Sequence, residues 1–102
     1  MGLRAERYAQ RLARLIQKET ITAVDSADKT KFYQFHELLR EIFPNVFSVC
    51  ECETFNGSLL LRWKGKSSSD PILLMNHQDV VEAPGAWKYP PFSGAIADGR
   101  VW

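Results

Sequence analysis

The chain has 102 residues, 45% hydrophobic and 25% charged, with 13 basic and 12 acidic side chains for a formal net charge of +1. This length suits one small domain with a core of its own. The near-neutral balance argues against a dedicated nucleic-acid binder, whose affinity rests on many phosphate contacts, and no apolar run approaches the ~20 residues of a membrane span.

The first twenty residues carry Arg4, Arg7, Arg11 and Arg14 and no continuous apolar core, so they do not read as a secretory signal. The only cysteines are Cys50 and Cys52. On one strand they would share a face, roughly 6–7 Å apart at Cα, near or beyond the limit for an unstrained disulfide. A reducing, cytoplasmic setting is the expectation.

Arg4–Lys18 predicts an amphipathic helix. Tyr8, Ala9, Leu12, Leu15 and Ile16 share one face at helical spacing. Arg4, Arg7, Arg11, Arg14 and Lys18 share the other, either as a solvated surface or as a basic stripe for an anionic partner. Thr20–Asp28 predicts a loop ending in a helix cap from Ser26 or Asp28. A second helix follows over about Lys29–Phe43, with Phe32, Phe35, Leu38, Leu39, Ile42 and Phe43 as its buried stripe and Pro44 as its stop. His36 borders that stripe and reads as a boundary residue rather than a ligand.

Strands are expected from there. Val46–Thr54 is rich in β-formers. Asn56-Gly57 is a strong hairpin signal, because a tight turn needs positive φ at both central positions. Ser58–Lys64 returns as the second arm, with Leu59, Leu61 and Trp63 on one face. Gly65–Asp70 is a polar loop. Pro71–Asn76 predicts a short buried strand, as found where helices cover both faces of a sheet. Glu82–Phe92 contains Pro84, Pro90 and Pro91 and predicts a packed irregular loop. Asp98-Gly99 is a second turn signal, between Ala95–Ala97 and Arg100–Trp102. Val101-Trp102 reads as an apolar strand cut short, so a piece of something longer is expected.

The chemistry concentrates in Met75-Asn76-His77-Gln78-Asp79-Val80-Val81. Open α/β sheets place ligand sites just outside the carboxyl ends of their strands. Neutral imidazole is a common zinc ligand, and a nearby carboxylate fixes its tautomer and raises its basicity. The segment predicts one wall of a metal site. Asp79 as a plain turn residue is the structural alternative. Cys50 and Cys52 could add thiolates, but structural zinc sites favour two to four intervening residues and only one separates this pair. Trp87, Tyr89 and Phe92 could line a pocket or simply pack under the loop.

Taken in order, these features resemble the N-terminal part of the zinc-dependent carboxypeptidase/aminoacylase family, which includes acetylornithine deacetylase and succinyl-diaminopimelate desuccinylase. The resemblance is carried by two opening helices and a hairpin, then Ile72-Leu73-Leu74-Met75 running into His77-Gln78-Asp79-Val80-Val81. Trp87-Lys88-Tyr89-Pro90-Pro91-Phe92-Ser93-Gly94 and Asp98-Gly99-Arg100-Val101-Trp102 complete it. The last two segments look most like the carboxypeptidase S and N-acyl-amino-acid hydrolase branch.

The resemblance implies an α/β fold. The chain 1–102 would be the incomplete N-terminal part of a three-layer α/β/α catalytic domain with a mixed sheet, about a quarter of a family member. It implies that His77 binds one of two zinc ions and that Asp79 belongs to the catalytic site by holding this imidazole from behind. The longer protein would cleave an amide bond of a peptide or N-acyl amino acid. The remaining family ligands have no counterpart here, so the chain alone is expected to be inactive, with no nucleic-acid or membrane partner. Uncovered apolar surface would make it prone to self-association. The alternative is a non-catalytic α/β binding or assembly module derived from the same fold.

Overall fold

The computed structural model describes residues 2–22 and 27–102. Ser26, one of the two expected caps, lies outside the described residues. Helix α1 spans Leu3–Ile16, α2 Thr30–Ile42 and α3 Pro44–Val49. Strands β1 (Glu51–Phe55) and β2 (Ser58–Arg62) pair antiparallel, as do β3 (Ile96–Ala97) and β4 (Arg100–Val101). The chain thus mixes helices with small antiparallel sheets, an α/β composition as expected. No helix of the described residues is long and apolar enough to cross a membrane.

Both turns follow from backbone sterics. Asn56 and Gly57 take φ of 46° and 89°, and Asp98 and Gly99 take 53° and 70°. Glycine reaches positive φ freely, and Asn and Asp tolerate it better than other residues, so each pair closes a two-residue hairpin. The first hairpin sets the register Thr54 opposite Leu59 and Phe55 opposite Ser58. The second is closed by Trp102 N–H on Ala95 O at 2.8 Å.

At the start of α2 the Asp28 carboxylate accepts the Thr30 N–H at 2.9 Å and its hydroxyl at 2.6 Å. These bonds hold the Asp28 carboxyl below its ordinary pKa, the side-chain bond most strongly. They also satisfy one of the donors that a helix start leaves free.

The core is small. Ala9 and Ala13 of α1 and Phe32, Leu38 and Ile42 of α2 are its buried apolar residues. On α1 the buried face is therefore centred on the two alanines. Tyr8 and Leu12, expected inside, are about half exposed. Small side chains let other backbone come close. Gly94, at φ 60°, sits so near α1 that a Cβ there would lie 2.5 Å from Ala13 O. The β3–β4 hairpin packs on α1 from that side.

Several expectations need correction. Pro44 does not lead into a strand; it opens α3, so the strand begins at Glu51 rather than Val46. A proline suits the first turn of a helix because its φ is preset and its missing N–H has no partner there anyway. On the second arm of the first hairpin Leu59 is half-buried, while Leu61 and Trp63 are exposed, Trp63 by 79%. The segment expected as a buried strand is neither paired nor covered. Ile72, Leu73, Leu74 and Met75 are 73–90% exposed and lie outside any ladder. Its apolar character marks a surface that the described residues do not cover. The only parallel pairing among the described residues is an isolated bridge between Ile21 and Val80.

Candidate functional site

That bridge positions the candidate site. Val80 N–H donates to Thr20 O at 3.0 Å and Thr22 N–H to Val80 O at 3.3 Å. The Thr20 hydroxyl, in a residue only 3% exposed, donates to Gln78 O at 2.6 Å. The loop ahead of α2 therefore pins the backbone that carries His77 and Asp79.

The two side chains meet on the outer side of the segment. His77 Nδ1 lies 2.9 Å from Asp79 O and 3.4 Å from Asp79 Oδ1. A carbonyl oxygen only accepts, so Nδ1 carries the hydrogen in the shorter contact. The main-chain oxygen, not the carboxylate, is thus the nearer of the two groups on this nitrogen. The other carboxylate oxygen, Oδ2, accepts the Thr22 hydroxyl at 3.0 Å. This hydrogen bond is the main reason the Asp79 carboxyl is held below its usual pKa; partial desolvation opposes it, and His77 adds a smaller pull in the same direction.

The geometry suits one corner of a metal site. The His77 side chain is 83% exposed. With its hydrogen on Nδ1, the ring leaves the Nε2 lone pair available, and zinc binds such a deprotonated imidazole nitrogen. The acceptor on Nδ1 fixes ring tautomer and orientation. No three or more His, Cys, Asp or Glu side chains are grouped to hold a metal ion among the described residues. Cys50 and Cys52 are half-buried, and Cys52 Sγ lies 3.5 Å from an Arg40 nitrogen.

His36 is not a boundary residue. It is 1% exposed, and its Nε2 lies 2.8 Å from Gln78 Oε1. The Gln78 amide nitrogen donates in turn to the Gly57 carbonyl oxygen in the first hairpin turn. Reading the sequence for chemistry passed over Gln78, because a glutamine between a histidine and an aspartate carries no signal of its own. Alternation along an extended segment would have been the clue, since it turns the middle side chain inward.

The remaining candidates are occupied in other ways. Of the basic face of α1, Arg14 pairs with Glu41 at 2.6 Å, Arg11 lies over the Phe43 ring and Arg4 donates to the Tyr8 hydroxyl. An open cleft beside it includes Arg14, Lys18, Glu37, Arg40 and Glu41 but neither His77 nor Asp79. Tyr89 packs on Trp102 at 5.1 Å between ring centroids, with Lys88 over both rings. Trp87 is 60% exposed and its indole N–H donates to loop carbonyls.

Comparison with known proteins supplies the wider context. Carboxypeptidase S of Saccharomyces cerevisiae is 38% identical over 93 residues, covering 84% of this chain and 16% of that protein. The N-fatty-acyl-amino acid synthase/hydrolase of Bos taurus is 41% identical over 78 residues, covering 72% of this chain and 16% of that protein. Its Homo sapiens counterpart is 34% identical over 93 residues, covering 85% and 18%. The chain therefore spans about a sixth of the length of the curated relatives it matches, less than the quarter expected. No protein-family model and no solved structure matches it.

Proposed function

Since this chain belongs to the carboxypeptidase S and N-acyl-amino-acid hydrolase branch, we propose that it forms part of a di-zinc hydrolase that cleaves an amide bond of a peptide or N-acyl amino acid. The observation that supports this reading is the His77–Asp79 pair, an exposed imidazole with Nδ1 engaged and Nε2 available.

In this reading His77 is a metal ligand, and Asp79 holds the ring through its main-chain oxygen and its carboxylate. Thr22 holds the carboxylate in turn. Bound zinc would supply a hydroxide nucleophile and polarise the scissile carbonyl. The other ligands and the general base would come from outside these 102 residues, so the chain alone hydrolyses nothing. The same residues outside would complete a three-layer α/β/α domain, with Ile72–Met75 as a strand of its sheet and the exposed apolar side chains covered.

The test is made in the longer protein. Bound zinc per chain and turnover of an N-acyl amino acid or dipeptide are measured for wild type and His77→Ala. Loss of one metal and nearly all turnover supports the reading. Full zinc and full turnover in the variant would mean that the motif is structural.

A further inference from the structure

Gln78 stands between two side chains that face outward and is tied in the opposite direction. Its amide spans two elements that are distant in sequence, α2 through His36 and the β1–β2 turn through Gly57. The Gly57 carbonyl can only accept, so the amide nitrogen faces Gly57 and the amide oxygen faces His36. His36 Nε2 therefore carries the hydrogen in their bond.

His36 is the most deeply buried large side chain among the described residues. Its Nδ1 is buried without a hydrogen-bond partner there. Its other neighbour of note is the Tyr33 ring, edge-on at 6.0 Å. Burying an imidazole with one nitrogen unpaired costs desolvation that a single hydrogen bond only partly offsets. What His36 adds is one directed polar bond, and that bond ends on the residue between His77 and Asp79.

We infer that His36 and Gln78 are positioning residues for the His77–Asp79 pair. The inference rests on the proposed metal-ligand role of His77. Successive side chains of an extended segment leave it on opposite sides, so turning residue 78 about the chain axis turns residues 77 and 79 with it. On one side the segment is held by Thr20 and Thr22. On the other it is held by the Gln78 amide. With both holds, the segment cannot roll, and the imidazole presents the same nitrogen in the same direction. With the inner hold removed, the segment pivots on the Thr20–Thr22 pairing, and the ring samples orientations that do not reach the metal.

The experiment uses the full-length protein with zinc as the probe. Zinc affinity by chelator competition, thermal unfolding of the metal-free form, and kcat and KM are measured for Gln78→Met, His36→Leu and His36→Gln. Gln78→Met keeps the shape and removes both amide bonds. Glutamine at position 36 can place an amide N–H near where Nε2 stood, so it serves as the rescue. Gln78→Met and His36→Leu should weaken zinc about 10–100-fold, the usual effect of removing support behind a ligand. His36→Gln should recover most of that loss.

Wild-type zinc affinity in a folded Gln78→Met protein overturns the inference, even if its unfolding temperature falls, because a merely structural residue would behave that way. If Gln78→Met does not fold, the contrast between the two His36 variants decides. Failure of all three to fold assigns the network to stability and also overturns the inference. His77→Ala in the same assay separates the two proposals. Zinc retained in that variant removes the ligand assignment itself. Zinc lost there but kept in Gln78→Met and His36→Leu removes only the positioning role.

Discussion

Thr22 and Asp79, 57 positions apart in the chain, are joined by a 3.0 Å hydrogen bond from the threonine hydroxyl to Oδ2 of the carboxylate. The bond leaves Oδ1 turned toward His77 Nδ1 at 3.4 Å. It connects the loop before α2 to the outer face of the candidate site, beside the backbone pairing of Ile21 with Val80.

The first prediction concerns pH. The Thr22 bond stabilises the ionised carboxylate and is the largest cause of the lowered Asp79 pKa. A group with a depressed folded-state pKa contributes stability above its ordinary range, and the contribution is lost as pH falls through the folded-state value. Asp79 is half exposed, so solvent screens this contribution and it should be modest. Replacing Thr22 by valine should raise the Asp79 titration midpoint toward the ordinary aspartate range. Carboxyl-carbon NMR titration of both proteins reads this directly, and an unmoved midpoint would contradict the assigned cause.

The second concerns Asp79 itself. Asp79→Asn removes the negative charge behind the imidazole, and such changes weaken metal affinity or rate by about 10–100-fold. Here the nearer contact to Nδ1 is the main-chain oxygen, which asparagine retains. The loss in the longer protein should therefore lie toward the tenfold end, with the fold intact by circular dichroism. A loss above a hundredfold would show that the carboxylate does more than orient the ring.

The third concerns Gly94. Its φ of 60° disfavours any residue with a Cβ, and that Cβ would meet Ala13 O at 2.5 Å and Ala13 Cα at 2.9 Å. Those are helix backbone atoms, which cannot rotate away as a side chain can. Gly94→Ala should cost at least about 1–3 kcal/mol, the range for a strained backbone position. Urea unfolding should show a lower midpoint, and an unchanged midpoint would argue that the loop does not dock on α1 in this way.

The fourth concerns association. Leu74 is 90% exposed within a run of exposed apolar side chains. Contiguous apolar surface of this kind drives association. The 102-residue chain should sediment as larger species with rising concentration, and Leu74→Lys should shift it toward monomer. A compact wild-type monomer at high concentration would sink the prediction.

Much of the local structure was legible in the sequence. Helical spacing located α1 and α2 to within a few residues. The Asn56-Gly57 and Asp98-Gly99 pairs located both hairpins, because positive φ at two successive positions is a local steric demand. Asp28, expected as the cap of α2, lies one residue before the N-cap Lys29, and its carboxylate accepts the Thr30 N–H. The spacing of His77 and Asp79 also brought them together as read, since residues two apart in an extended segment share a side. The resemblance to the hydrolase family rested on these short segments and is matched by the relatives found.

Other features were decided by contacts between segments far apart in sequence. The apolar run Ile72–Met75 predicted burial, but burial needs a covering partner, and none of the described residues supplies one. Composition alone states that a segment would gain by leaving water, not that anything is there to receive it. His36 resembled a boundary position on its helix, yet Gln78 and the first hairpin turn close over it. Thr20 and Thr22 were loop residues in the sequence, and only the tertiary structure sets them against Gln78, Asp79 and Val80. By itself the sequence determined where α1, α2 and the two hairpin turns form and that His77 and Asp79 lie two positions apart in one segment. What lies behind those two residues was decided by the tertiary structure, because hydrogen bonds spanning 21 to 58 positions depend on where whole elements come to rest.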